Sequence, residues 1–171
     1  MRCDVPTRVM WDPALIGYDF GRGHPLAPIR VDLTMRLARE FGVLDRPNVT
    51  MAAAPPADPA TLQLLHTAQY LAAVRRAGED PRAVDLSRGL GTGDNPTFAG
   101  MYEPSALVAG QTVAAAEAVW RGEVAHAVNI AGGLHHAMAG TASGFCVFHD
   151  VELGIARLLE LGAERIAYVD V

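Results

Sequence analysis

Val124-Ala125-His126-Ala127-Val128-Asn129-Ile130 leads through Ala131 into Gly132-Gly133-Leu134-His135-His136-Ala137, and residues 150–171 complete the unit. The first run is short and apolar, as a buried strand is. A glycine turn with two adjacent imidazoles follows it. Asp150 stands where a helix cap would, the helix runs through Leu161, and Gly162 ends it. Residues 165–171 then read as a second apolar strand. Apolar strands alternating with helices predict a parallel sheet covered on both faces. Ligands bind such sheets beyond the carboxyl ends of the strands. His135 and His136 follow one strand's end and Asp170 lies at the end of the next, so neighbouring strands would bring a histidine to Asp170. A histidine pair can hold one proton between two bases, which suits proton-transfer chemistry.

Working outward, Ser143-Gly144-Phe145-Cys146 forms a second glycine turn carrying an aromatic ring and a thiol. Taken alone, Cys146 reads as a small buried hydrophobe. His24 and His66 read as structural residues satisfied by local hydrogen bonds, and His126 as a strand residue without a role. Tyr18 reads as a loop anchor or as a residue packing near the candidate site. Upstream, residues 9–11 read as a first strand closed by Asp12-Pro13, and residues 18–28 as a loop. Residues 29–41 have Val31, Met35, Ala38 and Phe41 at helical spacing, and Gly42 stops them. Residues 49–56 read as an extended linker. Asp58-Pro59 is a helix start, Thr67 caps a helix reaching Gly78, and residues 79–94 are a loop. Residues 104–121 are the strongest helix, rich in alanine and ending at Gly122. No repeat or domain linker interrupts residues 1–171, which read as part of a single domain.

Composition narrows the field. The chain has 171 residues, half of them hydrophobic and 19% charged, enough for one ordinary core. A net charge of -5 steers nothing towards nucleic acid or an anionic membrane. Cys3 and Cys146 make no disulfide framework, so a reducing, cytoplasmic setting is expected. The longest apolar tract, residues 106–120, is broken by Gln111, Thr112 and Glu117 and falls short of the roughly 20 residues of a bilayer span.

Five stretches, in order, resemble the zinc-dependent histone deacetylase family, in its bacterial acetoin-utilisation branch. Residues 18–30 look like its N-terminal signature, and His66-Thr67 with Tyr70 like a short middle motif. Gly93-Asp94-Asn95-Pro96 looks like a rim loop. Residues 132–137 and 143–146 look like the catalytic core. The resemblance implies a three-layer arginase/deacetylase-like α/β fold with a central parallel sheet, incomplete at its C-terminus. It implies a zinc ion at the foot of a narrow tunnel and hydrolysis of an N-acetyl-lysine amide. It assigns His135 and His136 as the general acid/base pair and Asp170 as the carboxylate orienting His135. Gly144 would offer its carbonyl to the substrate amide, Phe145 would form a tunnel wall, and Cys146 would line the acetyl pocket. Asp94 would hold the substrate backbone at the rim, and Arg30 would flank the channel by which acetate leaves. The implied zinc ligands fall beyond Val171, so no metal ligand is expected within the chain. His149 stands where relatives carry Asn or Asp.

The implied partners are an acetylated protein or a small acetylated amine. An acetylpolyamine amidohydrolase is the alternative within the superfamily, and the rim around Asp94 would tell the two apart. A non-enzymatic alternative also follows: with half a sheet and an open edge at residues 165–171, the chain by itself would be inactive, prone to associate, or completed by a partner chain.

Overall fold

The computed structural model describes residues 5–170; Cys3 and Val171 lie outside the described residues. Strands β1 (Thr7–Met10), β2 (Val49–Ala52) and β3 (His126–Asn129) form a parallel sheet in the order β2-β1-β3. Thr7 pairs in register with Val49 on one side and with His126 on the other. The described residues also form five α-helices, α1 (Ile29–Glu40), α2 (Pro59–Leu62), α3 (Ala68–Glu79), α4 (Tyr102–Trp120) and α5 (Asp150–Glu160), and short 3-10 turns at Pro13–Gly17 and Leu86–Arg88.

The expected linker at residues 49–56 is therefore half strand. Its Val-Thr-Met-Ala run has β-forming residues, and β1 offers it a parallel partner, which outweighs the prolines that follow. Two caps fall where expected. Asp58 accepts from the Thr61 N–H at 2.7 Å and Thr67 from the Tyr70 N–H at 3.2 Å. The third does not. His149, not Asp150, caps α5, its Nδ1 accepting from the Glu152 N–H at 3.1 Å.

Residues 165–170 form no strand and pair with no strand. The second strand of the expected β-α-β unit is thus absent among the described residues, and β3 is hydrogen-bonded to β1 alone. Coverage of both sheet faces holds only at β1, which buries Val9 and Met10. On the outer strands Met51 and Val128 stay 43% and 40% exposed. Helix α1 turns Met35 inward, but Phe41, expected on the same apolar stripe, is 73% exposed.

Helix α4 organises the interior, packing on β3, β1, α3 and α5. The polar residues that break its apolar run each hold a neighbour. Gln111 clamps residue 54 twice, accepting from the Ala54 N–H at 3.1 Å and donating to its carbonyl at 2.9 Å. Thr112 donates to Asp150. Glu117 pairs with Arg157 of α5 and with Arg121, both at 2.6 Å. One helical turn before Gln111, the Ala106 carbonyl accepts from the Ala57 N–H at 2.8 Å. Gly110 makes this approach possible, because a Cβ there would sit 2.1 Å from the Pro55 carbonyl oxygen.

Helix propensity favours alanine over glycine by about 1 kcal/mol, but the Pro55 carbonyl is backbone and cannot swing aside. Gly110→Ala is therefore expected to lower stability by about 1–3 kcal/mol, the usual range for overpacking. Thermal unfolding checks this; a raised melting temperature would contradict it.

Candidate active site

The site is built around a buried carboxylate. Asp150, fully buried at the first turn of α5, accepts from the Leu134 N–H at 2.7 Å and the Gly133 N–H at 3.1 Å. The Thr112 hydroxyl donates to the same carboxylate at 2.5 Å and accepts in turn from Asn129 Nδ2 at 2.8 Å. Asn129 ends β3, and its Oδ1 accepts from the Ala131 N–H. Burial pushes the Asp150 carboxyl above its ordinary range, while the Thr112, Gly133 and Leu134 donors pull it back by favouring the charged form. The loop needs glycine at 132, because a Cβ there would lie 2.6 Å from Asp150 Oδ2.

This anchor presents His135 and His136 beyond the carboxyl end of β3. Their ring centroids are 4.3 Å apart at 71°. His135 Nδ1 lies 3.1 Å from Asp170 Oδ2, although the two segments are not neighbouring strands. Tyr168 brings its hydroxyl within 2.7 Å of the same nitrogen. A proton on Nδ1 would face these two oxygens and leave Nε2 as the unprotonated ring nitrogen.

The second turn packs against the pair. Ser143 and Cys146 exchange two backbone hydrogen bonds, and Gly144 and Phe145 between them have φ of +50° and +69°. Two positive φ values suit a tight primed turn, but Phe145 is strained there by about 1–2 kcal/mol. Tyr18 secures it: its hydroxyl donates to the Phe145 carbonyl at 2.8 Å and accepts from the buried Val147 N–H at 2.9 Å. Gly144 is required by the His136 ring, which would lie 2.7 Å from a Cβ at 144. The Cys146 thiol leans on the Gly144 carbonyl at 3.3 Å, and burial pushes it above its ordinary value, so it sits as a neutral thiol in the wall.

Asp94 lies exposed on the rim, its carbonyl 3.1 Å from His24 Nε2. Arg30 borders a small cavity of about 70 Å³ shared with Tyr18, Ala131, Gly132 and Leu134, directly behind the histidine loop. The structure thus gathers His135, His136, Gly144, Phe145, Cys146 and Asp170 at one place, with Asp94 at its edge and Arg30 behind it. Among the described residues no three His, Cys, Asp or Glu side chains are grouped to hold a metal. The described residues do not by themselves make a zinc site.

Three contributors escape a sequence reading. Asp150 looks like a helix cap and is the loop anchor instead. Tyr168 looks like a strand residue. His66, read as locally satisfied, bridges distant backbone: Nδ1 donates to the Met138 carbonyl and Nε2 accepts from the His149 N–H, both at 3.1 Å. His24 makes the expected local bond, accepting from the Leu26 N–H, and adds a second across 70 residues to the Asp94 carbonyl. For Asp150 the available signal was Thr112, a hydroxyl facing it from a mainly apolar helix.

A parallel-sheet α/β protein with a histidine pair beyond the carboxyl end of a strand is the class that fold and site define. The Histone deacetylase domain family matches residues 24–171, and the chain belongs to that family. It is 37% identical over 94% of its length to the acetoin utilization protein AcuC of Bacillus subtilis, covering 42% of that protein. Histone deacetylase RPD3 of Saccharomyces cerevisiae is 32% identical, with 94% of this chain and 37% of that protein aligned. Among solved structures, an HDAC homolog complexed with SAHA superposes with a TM-score of 0.80 at 29% identity. A second, from Aquifex aeolicus, gives 0.77 at 28%. Each superposition covers 94% of this chain and 43% of the other. The chain thus spans about two fifths of the length of these relatives, and its fold is that part of theirs.

His66 generates a pH prediction. Burial lowers its pKa to about 4 from an ordinary 6.5. The folded state therefore binds fewer protons than the unfolded state between these values. The stability it supports is complete above pH 6.5 and is lost as pH falls towards 4, by about 3 kcal/mol at most. Unfolding followed from pH 7 to 4 should show this slope in the parent chain and a shallower one in His66→Gln. Parallel slopes would contradict the assignment.

Proposed function

We propose that this chain is the proton-transfer half of a zinc-dependent deacetylase that hydrolyses N-acetyl-lysine. The observation that carries the reading is the paired imidazoles: His135 Nδ1 is 3.1 Å from Asp170, and His136 meets His135 edge-on and packs against Gly144. Family membership supports the reaction class, and the AcuC similarity favours an acetylated protein as substrate, with a small acetylated amine as the second candidate. The zinc ligands are proposed to lie outside residues 1–171, and residues 1–171 alone are expected to be inactive.

The chain's own residues account for the proton movements. Asp170 accepts from His135 Nδ1 and fixes the tautomer that leaves Nε2 unprotonated. Nε2 takes a proton from the water whose oxygen bonds to the acetyl carbon. When the carbon–nitrogen bond breaks, the pair returns a proton to the leaving lysine amine, giving acetate and free lysine. Phe145 and Cys146 wall the acyl group, the Gly144 carbonyl accepts from the substrate amide, and Asp94 anchors the substrate backbone.

In the complete polypeptide that carries this chain, His135→Ala or His136→Ala should lower kcat by about 10²–10⁴-fold with little change in KM. Asp170→Asn should lower it by about 10–100-fold, as loss of an orienting partner does. Acetate release from an acetyl-lysine peptide and from an acetylated diamine reads this directly. Unchanged turnover in both histidine variants would sink the proposal.

A further inference from the structure

His24 is not used by the reaction as derived above, yet it touches both parts of the site that meet the substrate. The Leu26 N–H donates to its Nδ1 at 3.1 Å, so Nδ1 carries no proton and the ring is in its Nε2–H form. That N–H then donates to the Asp94 carbonyl at 3.1 Å. The ring meets Phe145 edge-on at 4.7 Å and Phe20 at 4.6 Å, and Phe20 packs on Phe98 at 5.5 Å. Three segments distant in sequence, residues 20–26, 94–98 and 143–146, are joined through one imidazole. Phe145 is held at its backbone by Tyr18 and at its ring by His24, in a conformation that phenylalanine alone does not favour.

The geometry points to His24 as the positioning residue of the tunnel mouth, fixing the distance between the Asp94 rim and the Phe145 wall. The inference rests on the deacetylase reading above. Because Asp94 meets the substrate backbone and the histidine pair does not touch His24, the residue governs peptide binding and leaves the chemical step alone. A peptide substrate depends on it, whereas a small acetylated amine, which has no backbone to anchor, does not.

Two variants of the complete protein test this. His24→Phe keeps an aromatic ring against Phe145 but loses both polar bonds. His24→Gln keeps a side-chain N–H for the Asp94 carbonyl. His24→Phe should raise KM for an acetyl-lysine peptide about tenfold, as the loss of one well-placed hydrogen bond does, with kcat and the acetylated-amine KM within about twofold. His24→Gln should recover most of the peptide KM. An unchanged peptide KM in His24→Phe, or an equal fall of kcat on both substrates, overturns the inference. If the parent protein hydrolyses neither substrate, the deacetylase reading fails, and amide exchange decides the bridge separately. His24→Phe must then speed exchange at Gly91 and Asn95 of the rim and at Cys146 of the wall together, and unaltered exchange refutes it.

Discussion

One buried carboxylate holds the site in shape. Asp150 gathers two backbone N–H groups of the glycine turn and the Thr112 hydroxyl at a single point. β3, α4 and α5 meet there: α5 supplies the carboxylate, α4 the Thr112 hydroxyl, and β3 the Asn129 amide that donates to that hydroxyl. A carboxylate in such a place is costly unless its lone pairs are filled, and a missing donor would leave it uncompensated. The same demand fixes the turn, since two amides must point inward for the charge to be tolerated. With those amides fixed, Leu134 goes into the core and the histidines are carried out over the strand end. The placing of the histidine pair depends on an electrostatic constraint one layer beneath it.

The second layer is made of side chains that grip backbone. Tyr18, His24, His66, Tyr70 and Gln111 each hydrogen-bond main-chain groups far away in sequence. Such bonds contribute modestly when made and are expensive to leave unmade. They explain how long irregular segments, poor in secondary structure, present a strained Phe145 and a paired imidazole reproducibly. Regular elements supply the platform, and these grips supply the shape.

Much of this was legible in the residues. The glycine turns, the histidine pair and the alternation of apolar runs with helices pointed to a parallel sheet with chemistry at its carboxyl end. The parallel sheet is present, and the pair stands at the end of β3. Asp170 reaches His135, but for a reason the pattern did not contain: residues 165–170 approach as irregular chain rather than as a neighbouring strand. A strand needs a partner, and which edge is free is decided by tertiary packing that periodicity does not encode. The same reason hid β2 behind its prolines. Asp150 was misread because an acid at a helix start has a common local explanation, and only the fold reveals that its carboxylate faces the turn rather than its own helix. The long-range partners of His24 and His66 have no local signature at all.

The most direct test of this account is amide hydrogen exchange at Gly133 and Leu134 in Asp150→Asn, a replacement of equal size whose amide nitrogen cannot accept. The account predicts that both amides lose protection by about tenfold or more, as befits bonds to a charged acceptor, while amides within α3 keep theirs. Unchanged protection at Gly133 and Leu134 would show that the turn holds itself, and that the carboxylate is not what positions the histidines.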